Sequence, residues 1–207
     1  MRFLLYAGLV VAAGCSLEKK TGFNRTLQNL TAHYNILFNA NEILRIKQET
    51  DALAFVDNYN EILSVYQDTV AQGTTTDKDL ESATAKANTI ITFKEQSKYL
   101  GDAYLVLGKA NYLGGNFFNA AEYFSYVICS FPARLDLKQE ALTWKARSLM
   151  YLNQLPEAKV ALDSALKNIN TKKRNPTEVY AAKLQYDIST QEYADGEEMA
   201  KQAIHYT

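Results

Sequence analysis

The sequence has few of the residues that interrupt helices or build metal and disulfide frameworks. Its 207 residues include three prolines, nine glycines, two cysteines and two histidines. Proline breaks a helix interior and glycine weakens it, so their scarcity favours a helical chain. No segment of convincing length alternates as a β-strand does. Two cysteines are too few for a disulfide framework, and His33 has no second histidine or cysteine nearby, so no metal site is predicted.

The usual arrangements of catalytic residues are also missing. The chain has only His33 and His205 as imidazoles, and it contains neither a glycine-rich phosphate loop nor an H-E-x-x-H segment. The neighbouring acids Glu197 and Glu198 do not face each other on a helix, so they indicate no shared carboxylate site. Cys129 lies among apolar residues and is expected to be a buried, unreactive thiol. The sequence predicts a protein that is not an enzyme and needs no cofactor.

The charge balance offers no basic surface for nucleic acid. The formal net charge is −1, from 22 basic and 23 acidic residues. Nucleic-acid binding generally needs a clustered basic face. The run 172–174, KKR, is short and is expected to lie in a solvated loop. We therefore expect no nucleic-acid partner.

The first residues, MRFLLYAGLVVAAGC, have the pattern of an export signal. A single basic residue, Arg2, precedes an apolar run of about 11 residues, which is shorter than the ~20 residues of a membrane-spanning helix. The end of this run, Ala13-Gly14-Cys15, resembles the lipobox of a bacterial lipoprotein signal. By that resemblance residues 1–14 are a signal peptide and Cys15 is the acylated first residue of the mature protein. The alternative is an ordinary secretory signal in which Cys15 is incidental.

Residues 15–25 are expected to be a tether between the lipid and the fold. The stretch SLEKKTGFNR is polar and short of apolar groups. Ser16 and Leu17 provide no early aspartate and no acidic run after the cysteine. That is similar to lipoproteins sent to the outer membrane and left facing the periplasm, with acyl chains on Cys15 as the attachment.

Residues 97–132, SKYLGDAYLVLGKANYLGGNFFNAAEYFSYVICSFP, carry the most specific pattern in the chain. They are predicted to form two amphipathic helices, about 101–113 and 117–130. Their residue types follow the order of a tetratricopeptide repeat: Tyr104, Leu107, Gly108, Gly115, Phe117, Ala120, Phe124 and Pro132. Gly108 and Ala120 are expected where the paired helices come closest, and Pro132 is expected to end the second helix. Such a hairpin cannot bury its apolar face alone, so it predicts neighbouring repeats.

The pattern recurs at an offset of 38 residues. One shift keeps the size class at every position and gives Leu142, Ala146, Leu155, Ala158, Leu162 and Ala165. A second, weaker copy gives Tyr180, Leu184, Tyr193, Gly196, Ala200 and Ala203. We therefore expect three repeats, at about 101–134, 139–172 and 177–207. The predicted fold class is all-α, with antiparallel helix hairpins stacked as a short tetratricopeptide-type solenoid.

Residues 26–96 are predicted to be a degenerate helical cap on this stack. A helix that starts near Thr26 is expected to bend at Asn39-Ala40-Asn41 and to continue to about residue 49. Residues 51–71 and 78–96 are predicted to be a second pair of helices, separated by the loop QGTTTD.

Stacked repeats form a surface lined by the first helix of each unit, and this surface is the candidate partner site. The residues predicted to line it are Asp102, Leu105, Lys109, Tyr112, Glu140, Thr143, Arg147, Met150, Glu178, Ala181, Gln185 and Ile188. Lys109 and Arg147 occupy equivalent places and could bind a partner's carboxylate, which Arg holds with a bidentate fork. The alternative is a solvated face without a dedicated ligand.

Two segments resemble a known family. YNILFNANE (34–42) with DNYNEIL (57–63), followed by SKYLGDAYLVLGKANY (97–112), are similar to the amino-terminal part of the tetratricopeptide lipoprotein of the type IX secretion and gliding-motility system in Bacteroidetes, the SprE/PorW type. Members show a tyrosine-rich FNANE segment after the lipid cysteine and an SKW-DDAY-L-GK segment that opens the first clear repeat. This chain has Tyr99 for the tryptophan and Gly101 for the first aspartate. The resemblance covers roughly residues 15–165, and family proteins are much longer.

The resemblance implies a non-enzymatic scaffold in the outer membrane, whose partners are envelope or secretion-machinery proteins. Two other lipoprotein classes compete with it. A helical-repeat lipoprotein of outer-membrane protein assembly should keep near-34-residue spacing from close to its tether, and residues 26–96 are irregular. A glycan-binding lipoprotein of the SusD type should be far longer, with extended loops that carry aromatic platforms.

Overall fold

The computed structural model describes residues 22–68, 77–167, 169 and 176–205. The predicted signal peptide, Cys15 and residues 16–21 of the tether lie outside the described residues. The described part of the chain is helical, without strands, and its helices pack on their neighbours in sequence order. The predicted fold class, all-α with stacked helix hairpins, is confirmed.

A long helical segment opens the described chain. It consists of α1 (Gly22–Thr31), a π-helical turn (Ala32–Leu37) and α2 (Phe38–Ala54). The predicted bend at residues 39–41 is wrong, because α2 runs through them. Ala40 is fully buried there, so packing outweighs the weak helix propensity of the flanking asparagines. Neither these helices nor the others described below combine the length and apolar character needed to cross a membrane.

Seven further helices follow α2 in the described part of the chain. They are α3 (Lys78–Phe93), α4 (Leu100–Leu113), α5 (Phe117–Ser130), α6 (Leu135–Tyr151), α7 (Leu155–Lys167), α8 (Thr177–Thr190) and α9 (Tyr193–His205). The carboxylate of Asp77 caps α3 by accepting from the backbone amides of Asp79 and Leu80. The hairpins α4/α5, α6/α7 and α8/α9 are the three repeat units, and α5 ends just before Pro132, as predicted.

The turns inside the three hairpins repeat the 38-residue offset in their backbone geometry. Gly115, Asn153 and Gln191 have φ values of 77°, 56° and 63°. The amide of the next residue donates to a carbonyl five residues back in each turn, over 2.8, 2.9 and 2.8 Å. This pattern ends each first helix in a left-handed cap and reverses the chain. Only the first of the three turns uses glycine for the left-handed residue.

Small residues lie where the helices of a hairpin cross. A Cβ placed on Gly108 would be 2.4 Å from Cε1 of Phe124, and Ala120 is fully buried. In the second repeat, Ala146 and Ala158 are both fully buried in one cluster. The third repeat departs from this pattern on its first helix: Leu184 takes the place of Gly108, and its Cδ1 lies 3.1 Å from a Cβ built on Gly196, which takes the place of Ala120.

The predicted helix over residues 51–71 is wrong beyond Ala54. Phe55 takes an extended conformation, and the described residues 55–68 form no helix. The side chain of Asn58 accepts from the backbone amide of Asn60 at 3.2 Å, a local turn that competes with helical hydrogen bonding. Val56 and Tyr59, which the helix prediction placed on an apolar face, are 86% and 82% exposed.

Candidate functional site

The candidate site is the face formed by the first helices of the three repeats, α4, α6 and α8, which we call the groove. Residues 64–68, which we call the strap, lie across it and contact α6 and α8. Nine residues without regular structure, 55–63, separate α2 from the strap. The chain therefore fills part of its own predicted partner site with a segment that has no regular secondary structure and bends at Val65 and Tyr66.

Arg147 of α6 is the centre of the contacts between strap and groove. Its residue surface is only 6% exposed. Its Nη2 donates to both carboxylate oxygens of Asp68, at 3.1 and 3.0 Å, and its Nε donates to Tyr112 Oη at 3.3 Å. The guanidinium carbon lies 3.6 Å from the ring centroid of Tyr66 and 4.1 Å from that of Trp144. Transferring a charged group from water into a buried position is costly, and these hydrogen bonds and ring contacts offset that cost for Arg147.

The carboxylate of Asp68 also accepts hydrogen bonds from two tyrosines. Tyr112 Oη donates to it closely, and Tyr151 Oη lies 3.4 Å away. Burial is the main cause that raises the pKa of Tyr151 to about 12, and burial also raises the pKa of Tyr66 and of Tyr112 well above the ordinary range. These phenols therefore stay neutral and able to donate at physiological pH.

The charge of Arg147 is secure in this environment. Burial lowers its pKa, but the neighbouring Tyr112, Tyr66 and Asp68 raise it by more, so the net shift is upward. A permanently protonated, nearly buried guanidinium needs an acceptor at all times. The strap provides that acceptor with Asp68.

The third repeat binds the other end of the strap, and two of these hydrogen bonds use a main-chain group. Gln185 Oε1 accepts from the backbone amide of Val65 at 2.7 Å and from Ser64 Oγ at 2.8 Å. Tyr66 Oη donates to the backbone carbonyl of Glu178 at 3.3 Å. The amide side chain of Gln185 and the guanidinium of Arg147 thus bind a backbone group and a carboxylate that lie three residues apart in the strap.

Eight of the twelve residues predicted to line the groove also line two cavities between groove and strap. Lys109, Thr143 and Arg147 line a cavity of about 620 Å³, together with Tyr66, Asp68 and Trp144. Tyr112, Met150 and Gln185 line a second cavity of about 240 Å³, where Arg147 is again part of the wall. Glu140 and Glu178 also line the larger cavity.

Asp102 and Leu105 do not join these residues. The carboxylate of Asp102 accepts from Arg134 at 3.3 Å, at the junction of the first two repeats, and burial raises its pKa despite that partner. Leu105 is 6% exposed and belongs to the apolar core. Ala181 and Ile188 are not among the residues that line either cavity.

Sequence reasoning missed four residues that build the site: Tyr66, Asp68, Trp144 and Tyr151. The first two were assigned to a helix, and the paired asparagines 58 and 60 were the local signal against it. The other two lie on α6, where a period-based reading assigns them to packing. No local pattern indicates that Asp68 pairs with Arg147, 79 residues further along the chain.

The prediction of a buried Cys129 is wrong, because this thiol is exposed. On α5, Phe124 and Val127 face the core and are fully buried. Cys129 follows Val127 by two residues, or roughly 200° around the helix, and therefore faces outward.

No group of three or more His, Cys, Asp or Glu residues within the described ranges is placed to hold a metal ion. No family model matches the chain, and no curated protein is similar enough in sequence to count as a relative.

Proposed function

We propose that this protein is a non-enzymatic protein-interaction scaffold whose groove binds a partner segment that lacks regular secondary structure. The observation that carries the proposal is the strap itself. Gln185 binds a main-chain amide of the strap, and Arg147 binds a carboxylate of the strap. Main-chain contacts with a few side-chain contacts for specificity are the usual chemistry of peptide recognition.

The scaffold is further proposed to be an outer-membrane lipoprotein that faces the periplasm and is anchored by acyl chains on Cys15. The support is the signal-like segment MRFLLYAGLVVAAGC and the polar tether after it. Its partners are proposed to be envelope or secretion-machinery proteins of the type IX secretion and gliding-motility system. This assignment of partners is supported by the resemblance of residues 34–42, 57–63 and 97–112 to the tetratricopeptide lipoprotein of that system.

The test is affinity capture from detergent-solubilised envelopes with three versions of the full chain. Wild type and Lys201→Ala, a surface control on α9, should recover secretion-ring proteins, and Arg147→Met should recover far less. Circular dichroism checks that the variants keep their helices. Equal recovery by Arg147→Met would contradict a role for the groove, and barrel-assembly components or a paired transporter barrel in place of ring proteins would favour the competing lipoprotein classes.

Deleting the gene tests the proposed process. Protein export and surface spreading should both fail, and the wild-type gene should restore them. Normal export and spreading in the deletion strain would remove the secretion and motility proposal.

A further inference from the structure

We infer that the strap is an internal ligand of the groove, and that the external partner presents the same chemistry: a segment without regular secondary structure that carries an aromatic residue followed two residues later by a carboxylate. In the strap these residues are Tyr66 and Asp68. The inference rests on the proposed function, because it names the class of ligand that the scaffold takes and the contact that controls access to it.

The contacts define what the groove selects. The guanidinium of Arg147 meets the aromatic face of Tyr66 at 3.6 Å and the carboxylate of Asp68 at 3.0 Å. Planar guanidinium binds carboxylates in a fork and also stacks on aromatic rings, so a single arginine reads both groups. Tyr112 and Tyr151 add hydroxyl donors to the same carboxylate. An amide or an alanine at position 68 would leave the charge of Arg147 without its counter-ion.

The contacts bridge two neighbouring helices. Arg147 and Gln185 are 38 residues apart and hold the same place on the first helices of successive repeats. Helices in contact lie about 8–10 Å apart. The strap, which bends at Val65 and Tyr66 and forms no helix, spans the two helices with residues three positions apart, since Gln185 binds Val65 and Arg147 binds Asp68.

The strap is also replaceable. It is joined to the groove by a small set of hydrogen bonds and by the packed ring of Tyr66. The residues that lead into it are exposed: Val56 86%, Tyr59 82%, Ile62 57% and Leu63 41%. Because this leading segment has few buried apolar contacts, opening of the strap costs only its own contacts with the groove. Because it is tethered, however, it acts at an effective concentration in the millimolar range, and it lowers the apparent affinity of any competitor.

The experiment uses a fluorescein-labelled, amidated peptide with the sequence of residues 61–68, EILSVYQD, and measures its binding by fluorescence anisotropy. The double variant Tyr66→Ala/Asp68→Asn, which keeps the full chain but disables its own strap, should bind the peptide at least tenfold more tightly than wild type. Peptides with Tyr66→Ala or Asp68→Asn should bind this variant at least tenfold more weakly. The double variant with Arg147→Met added should lose binding.

Two results would overturn the inference. One is equal affinity of wild type and the strap variant for the peptide, and the other is indifference to the tyrosine or the carboxylate of the peptide. Neither depends on the folding of Arg147→Met, because both use chains with an intact groove. If the peptide does not bind as inferred while envelope partners are still captured, the scaffold proposal stands and the inference that the strap is an internal ligand is rejected. If the peptide binds as inferred but deletion leaves export and spreading intact, the secretion role fails alone.

Discussion

Replacing Gly108 by alanine should destabilise the fold, although alanine is the better helix former. The gain in helix propensity is about 1 kcal/mol. Against it, the new Cβ would lie 2.4 Å from Cε1 of Phe124 and 2.8 Å from Cδ1 and Cζ. Phe124 is fully buried, and Trp144 lies beside its ring with centroids 6.3 Å apart. The ring therefore has little room to move.

Overpacking of a core costs about 1–3 kcal/mol. Three ring atoms fall inside 3.0 Å of the new methyl group, so we expect the upper end of that range. Subtracting the propensity gain leaves a net loss of about 2 kcal/mol in the free energy of unfolding. The matched control is Gly196→Ala on α9, where the nearest atoms are Leu184 Cδ1 at 3.1 Å and Asp187 Cβ at 3.4 Å. That change should be neutral or stabilise by up to about 1 kcal/mol.

Urea unfolding followed by the fluorescence of Trp144, the single tryptophan of the chain, measures both variants. Phe124→Leu should relieve the clash, so the double variant Gly108→Ala/Phe124→Leu should be more stable than the sum of the two single losses, by about 0.5–3 kcal/mol. If Gly108→Ala is as stable as wild type, or if the two losses simply add, the ring of Phe124 does not pack tightly against this glycine.

Three further predictions concern the strap, the tyrosines and the lipid anchor. Asp68→Asn removes a charge-assisted pair worth about 1.5–3 kcal/mol. It should therefore speed limited chymotryptic cleavage in residues 55–68 roughly tenfold or more, whereas the control Glu61→Gln should not. Equal cleavage rates for the two variants would contradict the contact between Asp68 and the groove. Tyr66, Tyr112 and Tyr151 have pKa values above the ordinary 10.0 in the folded protein. As the pH rises, the unfolded chain therefore loses these protons before the folded one does. The free energy of unfolding should fall from about pH 10 upward, through the pKa of about 12 for Tyr151. Urea unfolding between pH 8 and 12 with an ultraviolet phenolate titration measures this, and a flat stability profile would refute it. Cys15→Ser should abolish acyl labelling and membrane association, and unchanged partitioning would remove the lipid anchor.

The repeats could be predicted because close packing of helices leaves a trace in residue size. Where paired helices pack tightly, only a small side chain fits, and Gly108, Ala146, Ala120 and Ala158 mark those points at a fixed offset. The third repeat is harder to recognise because Leu184 takes the small position of the first helix, opposite Gly196. The hairpin turns are also hard to recognise in the sequence, because two of the three residues with left-handed backbone conformation are Asn153 and Gln191 rather than glycine.

The strap could not be predicted from periodicity. Residues 51–66 carry apolar side chains at helical spacing, and that pattern indicates a helix when no tertiary contacts are known. The folded chain instead exposes most of these side chains and uses Tyr66 and Asp68 to satisfy Arg147. The contact joins residues 79 positions apart, and a single sequence does not reveal which of its many carboxylates forms the ion pair with a buried arginine.

The same position on successive first helices carries Lys109, Arg147 and Gln185, and the three have different partners. Lys109 forms an ion pair with Glu140 of the second repeat, whereas Arg147 and Gln185 bind the strap. One residue of this row is therefore paired within the stack, and the other two bind the strap. Because the strap runs from the third repeat toward the second as its residue numbers rise, a partner that replaces it in the same direction would bring its next residues toward Lys109. Glu140 would then compete with a partner carboxylate for that lysine, so the first repeat should add less selectivity than the other two.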